Sequence, residues 1–146
     1  MSLPDFDAET RLIKKGYKAI AGVDEVGRGC IAGPVTAAAV ILNPQKIPRG
    51  LNDSKKLSLK NREKIFQSIQ DTCTFCVAHS SVEEIDQINI LQAALLSMKR
   101  AILGLRIKPD FVLIDGNKNP EGLESNFETI IKGDSKSLSI AAASIV

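Results

Sequence analysis

The chain has no tryptophan, a single tyrosine and only 4% aromatic residues, so its core must be built from aliphatic side chains. No apolar run approaches the roughly 20 residues that a membrane-spanning helix needs. The N-terminal residues carry Asp5, Asp7 and Glu9 and contain no apolar signal core, which excludes a secretory signal and an acid-poor transit peptide. We therefore expect a soluble, cytoplasmic protein with no membrane partner.

Cysteine and histidine are also scarce. Three cysteines, an odd number in a chain without a signal peptide, predict free thiols. The spacing of Cys73, Cys76 and His79 is compatible with metal ligands, but the segment is typical of a strand, where positions three apart point to opposite faces. Because no second Cys/His pair completes a zinc site, we do not expect a zinc or redox role. His79, the only histidine, is expected to be a structural or surface residue and not a general base.

What the chain does contain is an ordinary globular composition, with 146 residues, 44% hydrophobic and 25% charged, the size of one domain. Apolar runs predict strands over 19–26, 35–42, 74–80, 110–115 and 127–132. Helical spacing and capping residues predict helices over 4–16 and 58–71, from Ser81, over 89–103 and from Ser139. Short links between the first three strands indicate an antiparallel meander, and helices before the later strands indicate parallel additions. The predicted fold class is α/β with a mixed sheet.

Carboxylates stand at the ends of three of these strands. Asp24 and Glu25 end the first strand, Asp115 ends the fourth, and Asp134 follows the fifth. Charged groups seldom enter buried strands without a purpose, and α/β proteins bind ligands at strand ends around a sheet crevice. Converging carboxylates would suit Mg²⁺ or Mn²⁺. The alternative is that each acid is a solvated residue at the end of its strand.

The adjacent positions of Asp24 and Glu25 create a local difficulty. Successive residues of a regular strand point to opposite faces, so the two side chains cannot both face one site. A bulge, or the end of the strand at Val26-Gly27, is expected to redirect one of them.

The motif Asp24-Glu25-Val26-Gly27-Arg28-Gly29 resembles the signature of the bacterial ribonuclease HII family. Ala21-Gly22-Val23 precedes it and Gly33-Pro34-Val35 follows it, as in that family. The resemblance continues through the blocks 51–58, 113–117, 132–135 and 139–145, in matching order over roughly residues 19–146. Five blocks in one order are hard to explain by chance.

This resemblance implies an RNase H-like fold, with a five-stranded mixed sheet flanked by helices. It implies an endoribonuclease that hydrolyses the RNA strand of RNA–DNA hybrids and nicks 5′ of ribonucleotides embedded in duplex DNA. We also expect a monomer, although the sequence does not reveal the oligomeric state. The products would carry 5′-phosphate and 3′-hydroxyl ends, and the cofactor would be Mn²⁺ or Mg²⁺ in two-metal-ion catalysis. By motif matching, the catalytic and metal-binding carboxylates would be Asp24, Glu25, Asp115 and Asp134.

The resemblance also implies a substrate-binding surface. The turn of Gly27, Arg28 and Gly29 would bring its backbone to the ribose 2′-hydroxyls, since glycine has no Cβ to block the approach. Ser54, Lys55 and Lys56 would hold backbone phosphates, which positions a duplex without reading its bases. Without the resemblance, these lysines would be read as a solvated loop.

Family members continue beyond the block that ends this chain, with further helices that include a tyrosine near the RNA–DNA junction. Val146 lies inside an apolar helical pattern without a capping residue. We therefore expect residues 1–18 to be an N-terminal helical lead-in and 19–146 a catalytic domain that lacks its C-terminal helical extension. Weak or no activity is expected of this form. The alternatives are an inactive nucleic-acid-binding fragment or another RNase H-like metal-dependent nuclease.

Overall fold

The computed structural model describes residues 3–26 and 33–146. Five strands and five helices lie in these residues, together with two short 3₁₀ turns at Ser54–Lys56 and Gly133–Ser135. In chain order, the elements are α1 (Asp7–Lys14), β1 (Ile20–Val26), β2 (Val35–Ile41), α2 (Leu59–Thr72), β3 (Thr74–Ser80), α3 (Val82–Ile88), α4 (Ile90–Leu103), β4 (Phe111–Asp115), β5 (Asn126–Ile130) and α5 (Leu138–Ile145).

The strands form one mixed sheet in the order β3-β2-β1-β4-β5. Strands β1, β2 and β3 are antiparallel neighbours, whereas β4 and β5 run parallel to β1. The predicted α/β class, antiparallel meander and parallel additions are therefore confirmed. The parallel pair β1 and β4 lies at the centre, so the carboxyl ends of both strands reach the same edge of the sheet.

Each face of the sheet is covered by helices. Alternation along β2 sends Ala37 and Ala39 into the cluster against α4, while Ala38 and Val40 pack with α2 and α5 on the other face. A further cluster joins Leu12 of α1 to Phe111, Leu113 and Ile140. The small residues of the central strands allow the apolar helix α5 to pack closely against the sheet.

The closest approach between α5 and the sheet occurs at Gly22. A Cβ atom at this position would lie only 2.2 Å from the carbonyl carbon of Ser139. Only glycine leaves room for the backbone of α5 to cross β1 here. This crossing fixes the first turn of α5 two residues from Asp24.

Several predicted boundaries shift. Helix α1 covers Asp7–Lys14 and not 4–16, because Asp5 forms a β-bridge with Ser137 before the helix begins. Helix α5 begins at Leu138 and not at the predicted Ser139. Its N-cap is Ser137, whose Oγ accepts a hydrogen bond from the Ile140 N–H at 3.2 Å. Strand β5 ends at Ile130 instead of 132, because the left-handed backbone of Lys132, with φ of 54°, breaks the extended run.

The scarce residue types behave as expected in the described part of the chain. Cys73 and Cys76 are free thiols that pack against opposite faces of the sheet, and His79 is exposed on β3. Cys30 lies outside the described residues. No helix within 3–26 and 33–146 is both long and apolar enough to cross a bilayer.

Candidate functional site

Two carboxylates meet where the central parallel strands end. Val23 of β1 is in register with Ile114 of β4, so the next residues, Asp24 and Asp115, lie side by side. Asp24 is only 6% exposed, and its carboxyl group is close enough to that of Asp115 for a hydrogen bond. The backbone N–H of Glu25 also donates to Asp24 Oδ1 at 2.8 Å. The predicted convergence of these two acids is therefore present in the structure.

Asp134 joins this pair from the 3₁₀ turn Gly133–Ser135. The Gly133 N–H donates to Asp115 Oδ1 at 2.7 Å, which ties the turn to the end of β4. A Cβ at Gly133 would lie 2.5 Å from Ile140 Cδ1 and 3.2 Å from Asp115 Oδ1, so the absence of a side chain permits this contact. Asp134 is half-buried and acts electrostatically on both Asp24 and Asp115.

The crowding of like charges is visible in the pKa values. Burial raises the pKa of Asp24 well above its ordinary value of 3.8, and the facing carboxyl group of Asp115 raises it further. Burial is also the largest cause that raises the pKa of Asp134, and the negative charges of Asp53 and Asp115 raise it further. The positive charge of Lys55 lowers this pKa, but not enough to cancel the rise. The ionised acids thus lack sufficient compensating positive charge, which is the condition that favours binding of a cation.

Glu25 occupies a different position from Asp24. The register of β1 with β2 is regular from Ala21 to Val26, with Asp24 opposite Ala38 and Glu25 opposite Ala37. The bulge considered from the sequence is therefore absent from β1, and the alternation directs Glu25 towards the α4 face. Glu25 is half-buried, and its role in the site stays a prediction.

The loop before α2 brings a further acid that the sequence reasoning missed. Asp53 contacts Asp134 through their carboxyl groups. The Oδ1 of Asp53 accepts a hydrogen bond from the Lys55 N–H at 3.0 Å, so Asp53 caps the 3₁₀ turn Ser54–Lys56. The signal for Asp53 was its place in a block that resembles the family, next to residues already assigned to phosphate binding.

The predicted substrate-binding residues are only partly described. Ser54 is half-buried, and Lys55 and Lys56 are exposed. Lys55 is close enough to Asp134 to lower the pKa of that carboxyl group. This location is compatible with phosphate binding, which stays a prediction. The turn of Gly27, Arg28 and Gly29 lies outside the described residues.

A divalent cation needs several oxygen ligands, which the carboxylates at this edge of the sheet can supply only in part. Within residues 3–26 and 33–146, no group of three or more His, Cys, Asp or Glu side chains could hold one ion as they stand. The carboxylates occur as two adjoining pairs, Asp24 with Asp115 and Asp53 with Asp134. Mg²⁺ is commonly held by one or two carboxylates, while water and phosphate oxygens complete its shell. Adjoining carboxylates at a strand edge therefore fit a hard divalent cation.

Comparison with known proteins identifies the family. A family model described as Ribonuclease HII matches residues 21–146. Ribonuclease HII of Ruegeria pomeroyi is 54% identical over all 146 residues of this chain, which cover 62% of that relative. The chain thus spans less than two thirds of that relative's length.

Solved structures show the same fold. The ribonuclease H2 of Pyrococcus horikoshii superimposes with a TM-score of 0.74 at 29% identity, over 88% of this chain and 69% of that protein. Bst-RNase HIII, solved in complex with Mn²⁺, shares the fold with a TM-score of 0.68 at 21% identity, over 87% of this chain and 49% of that protein. The predicted RNase H-like fold is confirmed, and the chain belongs to the ribonuclease HII family.

Proposed function

We propose that this chain carries the catalytic region of a divalent-metal-dependent endoribonuclease. Its substrates would be RNA–DNA hybrids, cut in the RNA strand, and duplex DNA containing ribonucleotides, nicked on the 5′ side of the ribonucleotide. The observation that carries the proposal is the convergence of Asp24 and Asp115 on adjacent strand ends, with Asp134 tied beside them. Burial and the neighbouring carboxyl groups raise the pKa values of Asp24 and Asp134, so the protein does not itself neutralise the acids that it brings together there.

Asp24, Asp115 and Asp134 are the residues at the strand ends that would hold Mn²⁺ or Mg²⁺. Glu25 joins this ligand set on the family motif alone, because the register of β1 directs it towards the other face of the sheet. A bound divalent cation lowers the pKa of a water molecule and offsets the charge that develops on the phosphate during in-line attack. The rigid ends of β1 and β4 hold Asp24 and Asp115 in fixed positions. The Gly133 N–H occupies one lone pair of Asp115 Oδ1 and thereby orients that carboxylate.

Substrate binding is assigned to residues around these acids. Lys55 is exposed and close enough to Asp134 to affect its pKa, so a phosphate held by Lys55 would lie near the carboxylates. Contacts of this kind set the register of a duplex without reading its sequence. Recognition of the ribose 2′-hydroxyl is assigned to Gly27, Arg28 and Gly29 from the family motif.

Cleavage assays test this proposal. Three duplexes should be incubated with Mn²⁺: an RNA–DNA hybrid, a DNA duplex with one ribonucleotide, and an all-DNA duplex. Because the chain spans 62% of its Ruegeria relative, two proteins should be compared. One is the 146-residue chain, and the other, called the extended chain, adds the C-terminal region of that relative.

We expect the extended chain to cut the first two duplexes, leaving 5′-phosphate and 3′-hydroxyl ends, and the 146-residue chain to cut them weakly or not at all. The Asp115→Asn variant of the extended chain is the matched control and should be inactive. Cleavage of the all-DNA duplex would instead indicate a different RNase H-like nuclease. Binding of the hybrid by both proteins without any cleavage would indicate a nucleic-acid-binding fragment.

A further inference from the structure

We infer that the N-terminal segment, residues 3–15, is a positioning element for the candidate site. It acts through the buried carboxylate of Glu9 on residues 133–139, the segment that carries Asp134. The family model matches residues 21–146, so this N-terminal segment precedes the matched region. The effect on metal binding rests on the proposed function, whereas the contact itself stands on geometry alone.

Glu9 is fully buried, although carboxylates almost never are. Its Oε2 accepts two hydrogen bonds at 2.9 Å, one from the Ser137 Oγ and one from the Ser139 backbone N–H. These partners form the start of α5, where backbone N–H groups lack helical acceptors and the helix dipole favours negative charge. Glu9 thus caps α5 from a helix more than a hundred residues earlier in the sequence.

The burial of Glu9 is costly, which argues against an incidental contact. In the described residues, Glu9 Oε1 and Ser139 Oγ are buried without a hydrogen-bond partner. A buried polar atom left without a partner destabilises the folded state. A glutamate kept at such a position is therefore expected to do more than fill space.

The backbone of the same segment adds two further ties. The Asp5 N–H donates to the Lys136 carbonyl at 3.2 Å, and the Leu138 N–H donates to the Asp5 carbonyl at 2.9 Å. Leu12 is 1% exposed and packs in one cluster with Ile140. The start of α5 is thus held by the N-terminal segment on one side and by the crossing at Gly22 on the other.

A short chain of hydrogen bonds connects Glu9 to the candidate site. Ser137, which donates its Oγ–H to Glu9, donates its backbone N–H to the Gly133 carbonyl at 2.7 Å. Gly133 donates its own N–H to Asp115 Oδ1 at 2.7 Å. Asp134 lies within this bonded turn, so any shift of Ser137 is transmitted to both Asp134 and Asp115. Groups that orient metal-binding carboxylates in this way typically change metal affinity about 10- to 100-fold when they are removed.

Variants of Glu9 test the inference. Glu9→Ala removes both hydrogen bonds, whereas Glu9→Gln keeps a carbonyl oxygen in the same place. The matched control is Arg11→Ala, which removes the exposed ion pair between α1 and Glu128 of β5 and leaves both hydrogen bonds of Glu9 in place. Deletion of residues 1–15 removes the whole segment.

Three measurements apply to these proteins: amide hydrogen exchange over residues 133–139, the Mn²⁺ dissociation constant by calorimetry, and kcat and KM of the extended chain. We expect Glu9→Ala to accelerate exchange, to weaken Mn²⁺ binding about 10-fold and to lower kcat by a similar factor. KM for the hybrid should change less than about twofold, because the phosphate-binding lysines lie on another loop. Glu9→Gln should restore most of each property, and Arg11→Ala should match the unaltered chain.

Unchanged exchange and unchanged Mn²⁺ affinity in Glu9→Ala would overturn the inference. So would a lower melting temperature combined with an unaltered Mn²⁺ dissociation constant, since that pattern indicates a purely structural role. If Glu9→Ala does not fold, Ser137→Ala removes one of the two hydrogen bonds and should give a smaller effect in the same direction. Faster exchange with no Mn²⁺ binding by any form would contradict the proposed function and leave the contact between Glu9 and residues 133–139 supported.

Discussion

Two groups of carboxylates in this molecule are placed in opposite electrostatic surroundings. The carboxylate of Glu84 in α3 accepts hydrogen bonds from both terminal guanidinium nitrogens of Arg100, at 2.8 and 2.5 Å. These hydrogen bonds are the largest cause that lowers the pKa of Glu84, to about 2. Asp24 faces another carboxyl group in a buried position, and its pKa is raised, first by burial. The acid that joins structural elements is neutralised by the protein, whereas the acids at the strand ends are left to repel one another.

The structural acid shows what the protein does when a carboxylate serves only the fold. Arg100 also donates to the His79 carbonyl at 3.0 Å, so one ion pair joins α3, α4 and β3. Glu84 completes a capping box with Ser81 at the start of α3. At the strand ends, by contrast, Lys55 lowers the pKa of Asp134 by less than burial and the charge of Asp53 raise it. The missing counter-charge is the feature that a divalent cation would supply, and the following experiments test this contrast.

The largest expected effect is that of Asp115→Asn in the extended chain. Cleavage should fall about 10³-fold, in the range seen when a group that stabilises transition-state charge is removed, while hybrid binding changes little. The side-chain amide oxygen of the variant can still accept the hydrogen bond from the Gly133 N–H. Steady-state cleavage and fluorescence anisotropy measure the two properties. Glu84→Gln is the matched control at the structural acid, and equal losses in both variants would contradict the contrast.

The same Asp115→Asn substitution should stabilise the metal-free 146-residue chain. It removes one of two facing acids and so relieves a repulsion that the fold maintains for function. We expect a rise in melting temperature of about 4 °C, corresponding to roughly 1 kcal/mol for a chain of this size. Thermal unfolding in the presence of a chelator measures it, and a decrease would show that the two acids stabilise each other.

Gly22→Ala should disrupt the packing that holds the crowded acids in place. Its Cβ would lie 2.2 Å from backbone atoms of Ser139, so β1 and α5 must separate, at a cost of about 3 kcal/mol. Gly104→Ala is the control, because its nearest obstacle at 2.5 Å is the Sγ of Cys76, a side chain able to move. Urea denaturation compares the two, and a cost at Gly22 no larger than at Gly104 would contradict the close crossing.

Mn²⁺ should stabilise the unaltered chain and not Asp115→Asn. A ligand present at about 100 times its dissociation constant raises the free energy of unfolding by about 2.7 kcal/mol. Melting temperatures with and without Mn²⁺ measure the effect, with Glu84→Gln as the variant expected to respond normally. Equal shifts in all three proteins would place the bound ion somewhere other than the candidate site.

The smallest effect concerns the pH dependence of the structural ion pair. Because the pKa of Glu84 is lowered in the folded state, its contribution is fully present above the unfolded value near 4.5 and is lost as the pH falls towards about 2. The pair is exposed, so the melting temperature of Glu84→Gln should lie only about 2 °C below that of the unaltered chain at neutral pH. Thermal unfolding from pH 7 to pH 2 should show this difference disappearing, and a difference that grows in acid would contradict the ion-pair account.

Much of this architecture was predictable from local patterns. Apolar runs identified all five strands, and Ser58 and Ser81 marked helix starts because their side chains accept from backbone N–H groups in the first turn. Asp24 and Asp115 stood out because an acid at the end of an apolar strand is unusual. Asp53 did not stand out, because its position beside Asp134 depends on how the loop before α2 folds over the strand ends.

The start of α5 shows the limit of local reasoning. Both Ser137 and Ser139 are good capping residues, and the sequence offers no basis for choosing between them. The structure makes Ser137 the cap because Glu9 accepts from its Oγ and from the Ser139 N–H at the same time. The carboxylate that decides this boundary comes from α1, far away in the sequence.

The sequence by itself determined the element types, the mixed sheet and the acids at the strand ends, since hydrophobic periodicity and capping act over only a few residues. Tertiary structure alone decided that Asp24 faces Asp115, that Asp53 meets Asp134, and that Glu9 is buried under α5. These contacts join residues tens to more than a hundred positions apart. They depend on strand register and on the close crossing of β1 by α5 at Gly22, which no local pattern encodes.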